Sequence, residues 1–341
     1  MITWPQQGSC FIIGEIGMAH DGSLGMAHAY IDAVAKAGAH AVKFQTHIAE
    51  EECTAAEPFR VSLSGQDDSR QAYWRRTAFS EKSWFKLVEH AHSAGLCFIS
   101  SPFSEAAVDL LARAGADVLK IASGEVGNLP LLIRSAKSGL PVMVSSGMSS
   151  LAEVDIAVET LKANEARLAV FQCTSAYPCP PERVGLNIIT DFQERYQCPV
   201  GLSDHSGTIY AGLAAATLGA TMIEVHICFA KDMYGPDVPA SLTPENLSRL
   251  VEGVTFIKRA VTSRICKDQE AEDTSDLRKI FTKSIVARKP LVAGTQLAYK
   301  DLAFKKPGTG IPAARYEELL GRALRYDVGQ DHFFSLTDLE D

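Results

Sequence analysis

HAHSAGLCFISSPFSEAAVDLLARAGADVLKIASGE (90–125) holds one full period of the pattern that decides the fold. A helical stretch closes at Gly95, and a β-rich run, LCFISSP (96–102), starts at once. Ser104 then opens a second helical stretch, which closes at Gly115 and hands over to DVLKIAS (117–123). A glycine after the last helical turn takes the left-handed conformation that a Cβ resists. A serine before the first turn caps its free N–H groups. Both β-rich runs are nearly continuous in apolar residues, as parallel strands buried on two faces are.

Outward from this stretch the period repeats. Gly38 leads into AVKFQT (41–46), Gly139 into PVMVSSG (141–147) and Gly219 into TMIEVHI (221–227), and Ser23, Ser80 and Ser149 stand where helix caps are expected. FIIGEIG (11–17), LAVFQCTS (168–175) and PVGLSDH (199–205) complete eight strands alternating with helices. Eight βα units favour a closed (β/α)8 TIM barrel over an open doubly wound sheet. No GxGxxG follows the first strand, as a dinucleotide-binding sheet would need. The connection from about His47 to Phe79, with Pro58, Gly65 and DDSRQ, is long and reads as a lid or binding loop. The last barrel helix is expected near Pro244 to Ala260. CKDQEAEDTSD (266–276) is polar and reads as linker. Beyond it, VAGTQLAYKDL (292–302) is loosely echoed by VGQDHFFSLTDL (328–339), which suggests a small β-rich domain with an internal pseudo-repeat. The expected division is barrel 1–263, linker 264–276 and small domain 277–341.

The bulk numbers agree with a barrel plus a partner. The chain has 341 residues, 46% hydrophobic and 22% charged, enough for a sizeable core. A net charge of -8 argues against a nucleic-acid or anionic-membrane surface. The opening MITWPQQGSC lacks a basic segment followed by an apolar one, so no export signal is expected, and no apolar run approaches a membrane span. The eight cysteines form no CxxC pair and read as reduced thiols of a cytoplasmic protein.

In a barrel of this kind, polar residues at the C-terminal strand ends carry function. Here nearly every strand ends in them: Glu15, Lys43 and Gln45, Ser101, Lys120 and Ser123, Ser145 and Ser146, Thr174 and Ser175, Asp204 and His205, Glu224 and His226. Charged groups inside apolar strands need partners or a ligand. His205 and His226 end adjacent strands and can hold a divalent ion with positions left open. Glu224 faces the same way as His226 and can be a further ligand or orient one. Lys43 and Lys120, with Ser101, Ser123, Ser145 and Ser146, can cradle a phosphate and a carboxylate. The alternatives are a Schiff-base lysine or a salt bridge to Glu15 or Glu224. Asp237, in GPD (235–237), can bind sugar hydroxyls.

Together these residues resemble the sialic acid synthase family, which makes nonulosonic acids from phosphoenolpyruvate and an N-acetylated amino-sugar aldose. The matching stretches are GEIGMAH (14–20), VKFQT (42–46), SSPF (100–103), LKIASGE (119–125), SSGM (145–148), CTSAYPCP (173–180), GLSDHSG (201–207), EVHICF (224–229) and GPDVPASL (235–242). The tail with PGTGI (307–311) resembles that family's antifreeze-like SAF domain. The resemblance implies a TIM barrel followed by a SAF domain. It implies that His205 and His226 hold a Mn2+-type ion that polarises the sugar aldehyde. It assigns Lys43, Lys120, Ser101, Ser123, Ser145, Ser175 and Ser203 to phosphoenolpyruvate. Gln45, Tyr177, Asp237 and Lys306 go to the sugar, Glu15 contacts it or moves protons, and Glu15, Glu224, His205 and His226 form the catalytic set. It also implies a domain-swapped homodimer. The chain departs from the family pattern at Ala19, Ser175, Val225 and Lys306, so the sugar half is altered. N-acetylmannosamine and a 2,4-diacetamido-6-deoxy hexose, which leads to a legionaminic-type product, are both acceptors to consider. The rival readings are a pyruvate aldolase on the same barrel and a catalytically silent sugar-binding protein.

Overall fold

The structure, a computed structural model, describes residues 9–61 and 66–340. Gly65 and most of the opening MITWPQQGSC lie outside the described residues. The chain divides into two compact units, Met1–Thr262 and Ser263–Asp341.

In the first unit eight parallel strands close into a barrel: β1 (Phe11–Gly17), β2 (Ala41–Thr46), β3 (Cys97–Pro102), β4 (Val118–Ile121), β5 (Val142–Ser145), β6 (Leu168–Cys173), β7 (Val200–Asp204) and β8 (Met222–His226). β8 pairs back onto β1, with Glu15 opposite His226. Helix α1 (Leu24–Lys36) follows β1, and α2 (Ala49–Glu52), α3 (Arg70–Thr77) and α4 (Glu81–Ser93) follow β2. Then come α5 (Glu105–Ala114), α6 (Leu129–Lys137), α7 (Leu151–Ala163), α8 (Asn187–Tyr196), α9 (Tyr210–Thr217) and α10 (Pro244–Thr262), one after each remaining strand.

The punctuation acts as expected, with one correction. Gly115 closes α5 at φ 84°, and Ser104 Oγ accepts from Ala107 N at 3.2 Å at its start. The cap of α7 is Ser150, not Ser149. Ser150 and Glu153 form a reciprocal capping box, the S-x-x-E arrangement that satisfies two free donors at once.

Strand alternation sorts the side chains. Ile12, Val42, Phe98, Leu119 and Val225 pack outward against helix residues such as Tyr30, Leu87, Leu111 and Leu250. Ile13, Ala41, Ile99, Val118, Met143, Phe171 and Met222 form a separate apolar cluster that plugs the interior. Side chains two apart on a strand share a face. The next inward positions toward the C-terminal end are therefore Glu15, Lys43, Ser101, Lys120, Ser145, Cys173 and Glu224.

In the second unit the stretch read as linker carries helix. Residues 264–276 include a helix, α11 (Lys267–Asp273), and run into α12 (Ser275–Phe281). Their polar composition marks exposure, not irregular backbone, because Lys, Glu, Gln and Ala favour helix. Beyond them β9 (Ser284–Ala287) and β10 (Leu302–Lys305) pair antiparallel. Ile285, Leu297, Leu302, Leu319, Leu324 and Phe334 are among its core residues. The pseudo-repeat is structural: buried Asp301 accepts from Ala298 N at 3.1 Å, and buried Asp338 accepts from Ser335 N at 2.7 Å.

Candidate active site

Four charged side chains sit on the apolar plug. Lys43 Nζ lies 2.6 Å from Glu15 Oε2 and 3.5 Å from Glu224 Oε1, and Lys120 Nζ lies 2.6 Å from Glu224 Oε2. All four are buried. The ion-pair reading of the two lysines is thus what the structure displays. Lys120 Nζ also lies 4.1 Å from the centroid of the Phe171 ring in the plug below, and Ser203 Oγ donates to Glu224 Oε1 at 3.2 Å.

Burial and Coulomb attraction compete at each group. At Glu15 burial wins and pushes the carboxyl above its ordinary value, against the pull of Lys43. At Glu224 burial pushes up too, but Lys120 and Lys43 together hold the carboxyl well below the usual range. Lys43, despite burial, is held above its ordinary value by the two carboxylates, whereas burial brings Lys120 down. The outcome is two lysines and two acids, one acid pushed toward its ionised form and the other toward its protonated form.

Next to this quartet stand the two histidines, their ring centroids 5.3 Å apart. His205 Nδ1 contacts the Thr174 carbonyl at 2.8 Å. A proton on that nitrogen leaves Nε2 as a lone pair. His226 Nδ1 is buried with no hydrogen-bond partner, and Asp237 Oδ2 is 3.8 Å away. Burial lowers the His226 pKa, which favours the neutral imidazole a metal needs. An orphaned ring nitrogen on one imidazole and a second imidazole beside it fit a divalent ion. Among the described residues no group of three His, Cys, Asp or Glu side chains could hold one. A site of two histidines leaves its remaining positions to water and substrate.

The serines gather on the β4–β6 side. Gly147 shows how tightly: at φ +33° a Cβ there would come within 1.9 Å of Ser123 Oγ and 2.9 Å of Ser175 Oγ. Only glycine lets the backbone pass between those hydroxyls. Ser101, in register with Gln45, and Ser145, in register with Phe171, are buried. Gly17 marks a second focus. Its Cβ would lie 3.4 Å from Asp237 Oδ2, 3.4 Å from Gln45 Nε2 and 3.5 Å from Glu15 Oε1. Gln45 Nε2 donates to Glu15 Oε1 at 2.8 Å. Tyr177 stacks on His205 at 4.1 Å between centroids.

The barrel brings Glu15, Lys43, Gln45, Lys120, Tyr177, Ser203, His205, Glu224, His226 and Asp237 into one connected set, whereas Asp204 accepts from Ser206 N and Oγ and Thr174 Oγ1 donates to the Arg183 carbonyl. Lys306 belongs to the second unit, where it is exposed and its Nζ lies 5.0 Å from the centroid of the Phe281 ring. Three participants were not anticipated. Gly147 needs the backbone angle to be recognised. Cys173 is buried with its Sγ 3.6 Å from Ser123 Oγ and 4.0 Å from His205 Nδ1; it opens the quoted CTSAYPCP stretch, and its position on the inward face of β6 was its only signal. Arg60, in the connection between α2 and α3, places its guanidinium 4.3 Å from the centroid of the Tyr177 ring and donates to Asp237 at 2.6 Å.

Comparisons with known proteins place this arrangement. The sequence model of the NeuB family matches residues 30–265, and that of the SAF domain matches residues 282–340. The N,N'-diacetyllegionaminic acid synthase of Campylobacter jejuni is 34% identical, covering 94% of this chain and 97% of the relative. The enzyme of the same name from Legionella pneumophila is 33% identical, covering 94% and 92%. The crystal structure of an N-acetylneuraminic acid (sialic acid) synthetase from Leptospira borgpetersenii, in complex with citrate, superposes with a TM-score of 0.69 at 29% identity, over 80% of this chain and 93% of that one.

Proposed function

This chain belongs to the NeuB family, and from that premise we propose that it is a nonulosonic acid synthase condensing phosphoenolpyruvate with an N-acylated amino-sugar aldose. The observation that carries the reading is the buried Lys43–Glu15–Glu224–Lys120 quartet beside the His205/His226 pair. Two cations in an apolar barrel suit a multiply charged anion. The two similar synthases named for N,N'-diacetyllegionaminic acid favour a 2,4-diacetamido-6-deoxy hexose as acceptor over N-acetylmannosamine.

In this reading phosphoenolpyruvate enters against Lys43 and Lys120, which trade carboxylate oxygens for phosphate and carboxylate oxygens of the ligand. Ser101, Ser123, Ser145, Ser175 and Ser203 donate around it. Gln45, Tyr177 and Asp237 orient the open-chain sugar. The enol carbon bonds to the aldehyde carbon, whose oxygen takes a proton. That proton comes from the protonated Glu15 carboxyl; water adds to the cationic C2 and returns one proton to Glu15, and its second proton passes to the phosphate as the C2–O bond breaks and the C2 carbonyl forms. A divalent ion on His205 and His226, Mn2+ in this proposal, would supply Lewis acidity toward the aldehyde. The resemblance adds a homodimer in which each small domain serves the partner's barrel, and a cytoplasmic setting, where the free cysteines stay reduced.

The test is phosphate release from phosphoenolpyruvate and Mn2+ with a panel of N-acetylmannosamine and diacetamido hexoses, with and without EDTA. Release with one acceptor, abolished by EDTA, is expected. A panel that yields no phosphate would sink the reading. The aldolase alternative needs a lysine that can lose its proton. Lys43 is held charged, and Lys120, though burial brings its pKa down, is ion-paired to Glu224. Borohydride should therefore trap no adduct with pyruvate.

A further inference from the structure

Arg60 plays no part in the scheme above, yet it reaches the residues assigned to the sugar. Its Nη2 donates to Asp237 Oδ1 at 2.6 Å, while Asp237 Oδ2 lies 3.8 Å from His226 Nδ1. Its guanidinium stacks 4.3 Å from the centroid of the Tyr177 ring, and that ring in turn stacks on His205. The Arg60 side chain is 44% exposed, against 19% for Asp237, and it makes no other hydrogen bond to a described residue. Among the described residues most of its five N–H donors therefore have no acceptor, although the guanidinium is held by one carboxylate and one ring. A guanidinium fixed in this way is a preorganised donor surface. It has no acceptor and never loses its charge.

We propose that Arg60 is an acceptor-specificity residue, which orients Asp237 and offers its remaining N–H groups to an acyl carbonyl of the amino sugar. The proposal rests on the synthase reading and extends it to a residue the scheme leaves out. The chemistry sets the direction of selectivity. An acylamino group is uncharged and presents a carbonyl oxygen to the donors. A free amine is cationic at neutral pH and sets donor against donor and charge against charge. Arg60 thereby favours N-acylated sugars over their free-amine counterparts. Lysine cannot replace it, since a point charge neither stacks on Tyr177 nor bridges two acceptors with one planar fork.

The experiment compares the full-length wild type with Arg60→Ala, Arg60→Gln and Arg60→Lys. It measures kcat and KM for phosphoenolpyruvate and for acylated and free-amine acceptors, together with melting temperatures. Loss of a charge-assisted hydrogen bond should raise the KM of the acylated acceptor roughly 10- to 100-fold. The KM for phosphoenolpyruvate and the melting temperature should stay unchanged, the preference for acylated over free-amine sugars should shrink, and lysine should restore little. An Arg60→Ala enzyme with wild-type acceptor KM and wild-type preference overturns the assignment while leaving the synthase reading intact. Equal rises in both substrates' KM overturn it too, because they mean a loss of local structure. A wild type that releases no phosphate with any acceptor overturns both.

Discussion

Glu15 and Glu224 face the same lysine, and their environments push them in opposite directions. Glu15 lies above the ordinary carboxylate value of ~4.3. If its proton is the one the aldehyde oxygen takes, kcat/KM should fall on the alkaline side, at a pH above that value, and Glu15→Gln should remove the limb along with most of the activity. Glu224 lies below its ordinary value, so its contribution to stability is fully present above the unfolded pKa and is lost only as pH falls through the depressed one. Glu224→Gln should therefore destabilise the neutral protein, by about 3–5 kcal/mol for breaking buried pairs. The gap to wild type should close in acid, which thermal melts across pH would record. These groups were legible in the sequence because a lysine or glutamate inside an apolar strand is anomalous by itself. Arg60 was not. An arginine in a polar loop is ordinary, and its partner Asp237 lies 177 residues away. Gly147 was hidden for another reason: one more glycine at a loop start says nothing until its missing Cβ is seen to make room for Ser123 and Ser175. Gly147→Ala should weaken phosphoenolpyruvate binding at least tenfold by calorimetry, the scale of a single displaced polar contact.

Among the elements, the eight strands were readable because glycine stops, serine starts and apolar runs all recur in one rhythm. What escaped was the choice between chemically equal neighbours. Ser149 and Ser150 both precede a helical pattern, but only Ser150 has a glutamate three residues on to close the box. Ser150→Ala should cost about 1 kcal/mol in chemical denaturation, and Ser149→Ala close to nothing. The helix within 264–276 was not read, because its polar composition gives no apolar periodicity to follow. The connection after β2 is also more ordered than a loop. His47 of that segment lies in a stack between Trp74 of α3 and Phe103, at 3.6 and 4.3 Å between centroids, and its Nδ1 lies 2.7 Å from Glu52. Its Nε2 lies 3.3 Å from Gln45 Oε1. The segment that carries Arg60 thus starts from a firm anchor beside the assigned sugar residues.

For the molecule as a whole, two compact units and a proposed exchange between partners make one decisive prediction. A His226→Ala chain lacks a working barrel, and a Lys306→Ala chain lacks the small domain's assigned sugar contact. Each should be impaired alone. If the small domain serves the partner's barrel, mixing and reassociating them should restore roughly a quarter of wild-type phosphate release by random pairing in a symmetric dimer. If each small domain serves its own barrel, the mixture should gain nothing.

The quartet on the barrel plug has one more consequence. Its formal charges cancel, so the resting site is close to neutral, and Glu15 is the acid that burial pushes toward its protonated form. An arriving phosphoenolpyruvate brings several negative charges next to that carboxyl and raises its proton affinity further. Ligand capture should therefore draw a proton from solution. Calorimetric heats of binding measured in buffers of different ionisation enthalpy should vary in proportion, with the sign of uptake, and the slope should vanish in Glu15→Gln. The barrel would then take its substrate and part of the proton inventory of its reaction in a single event.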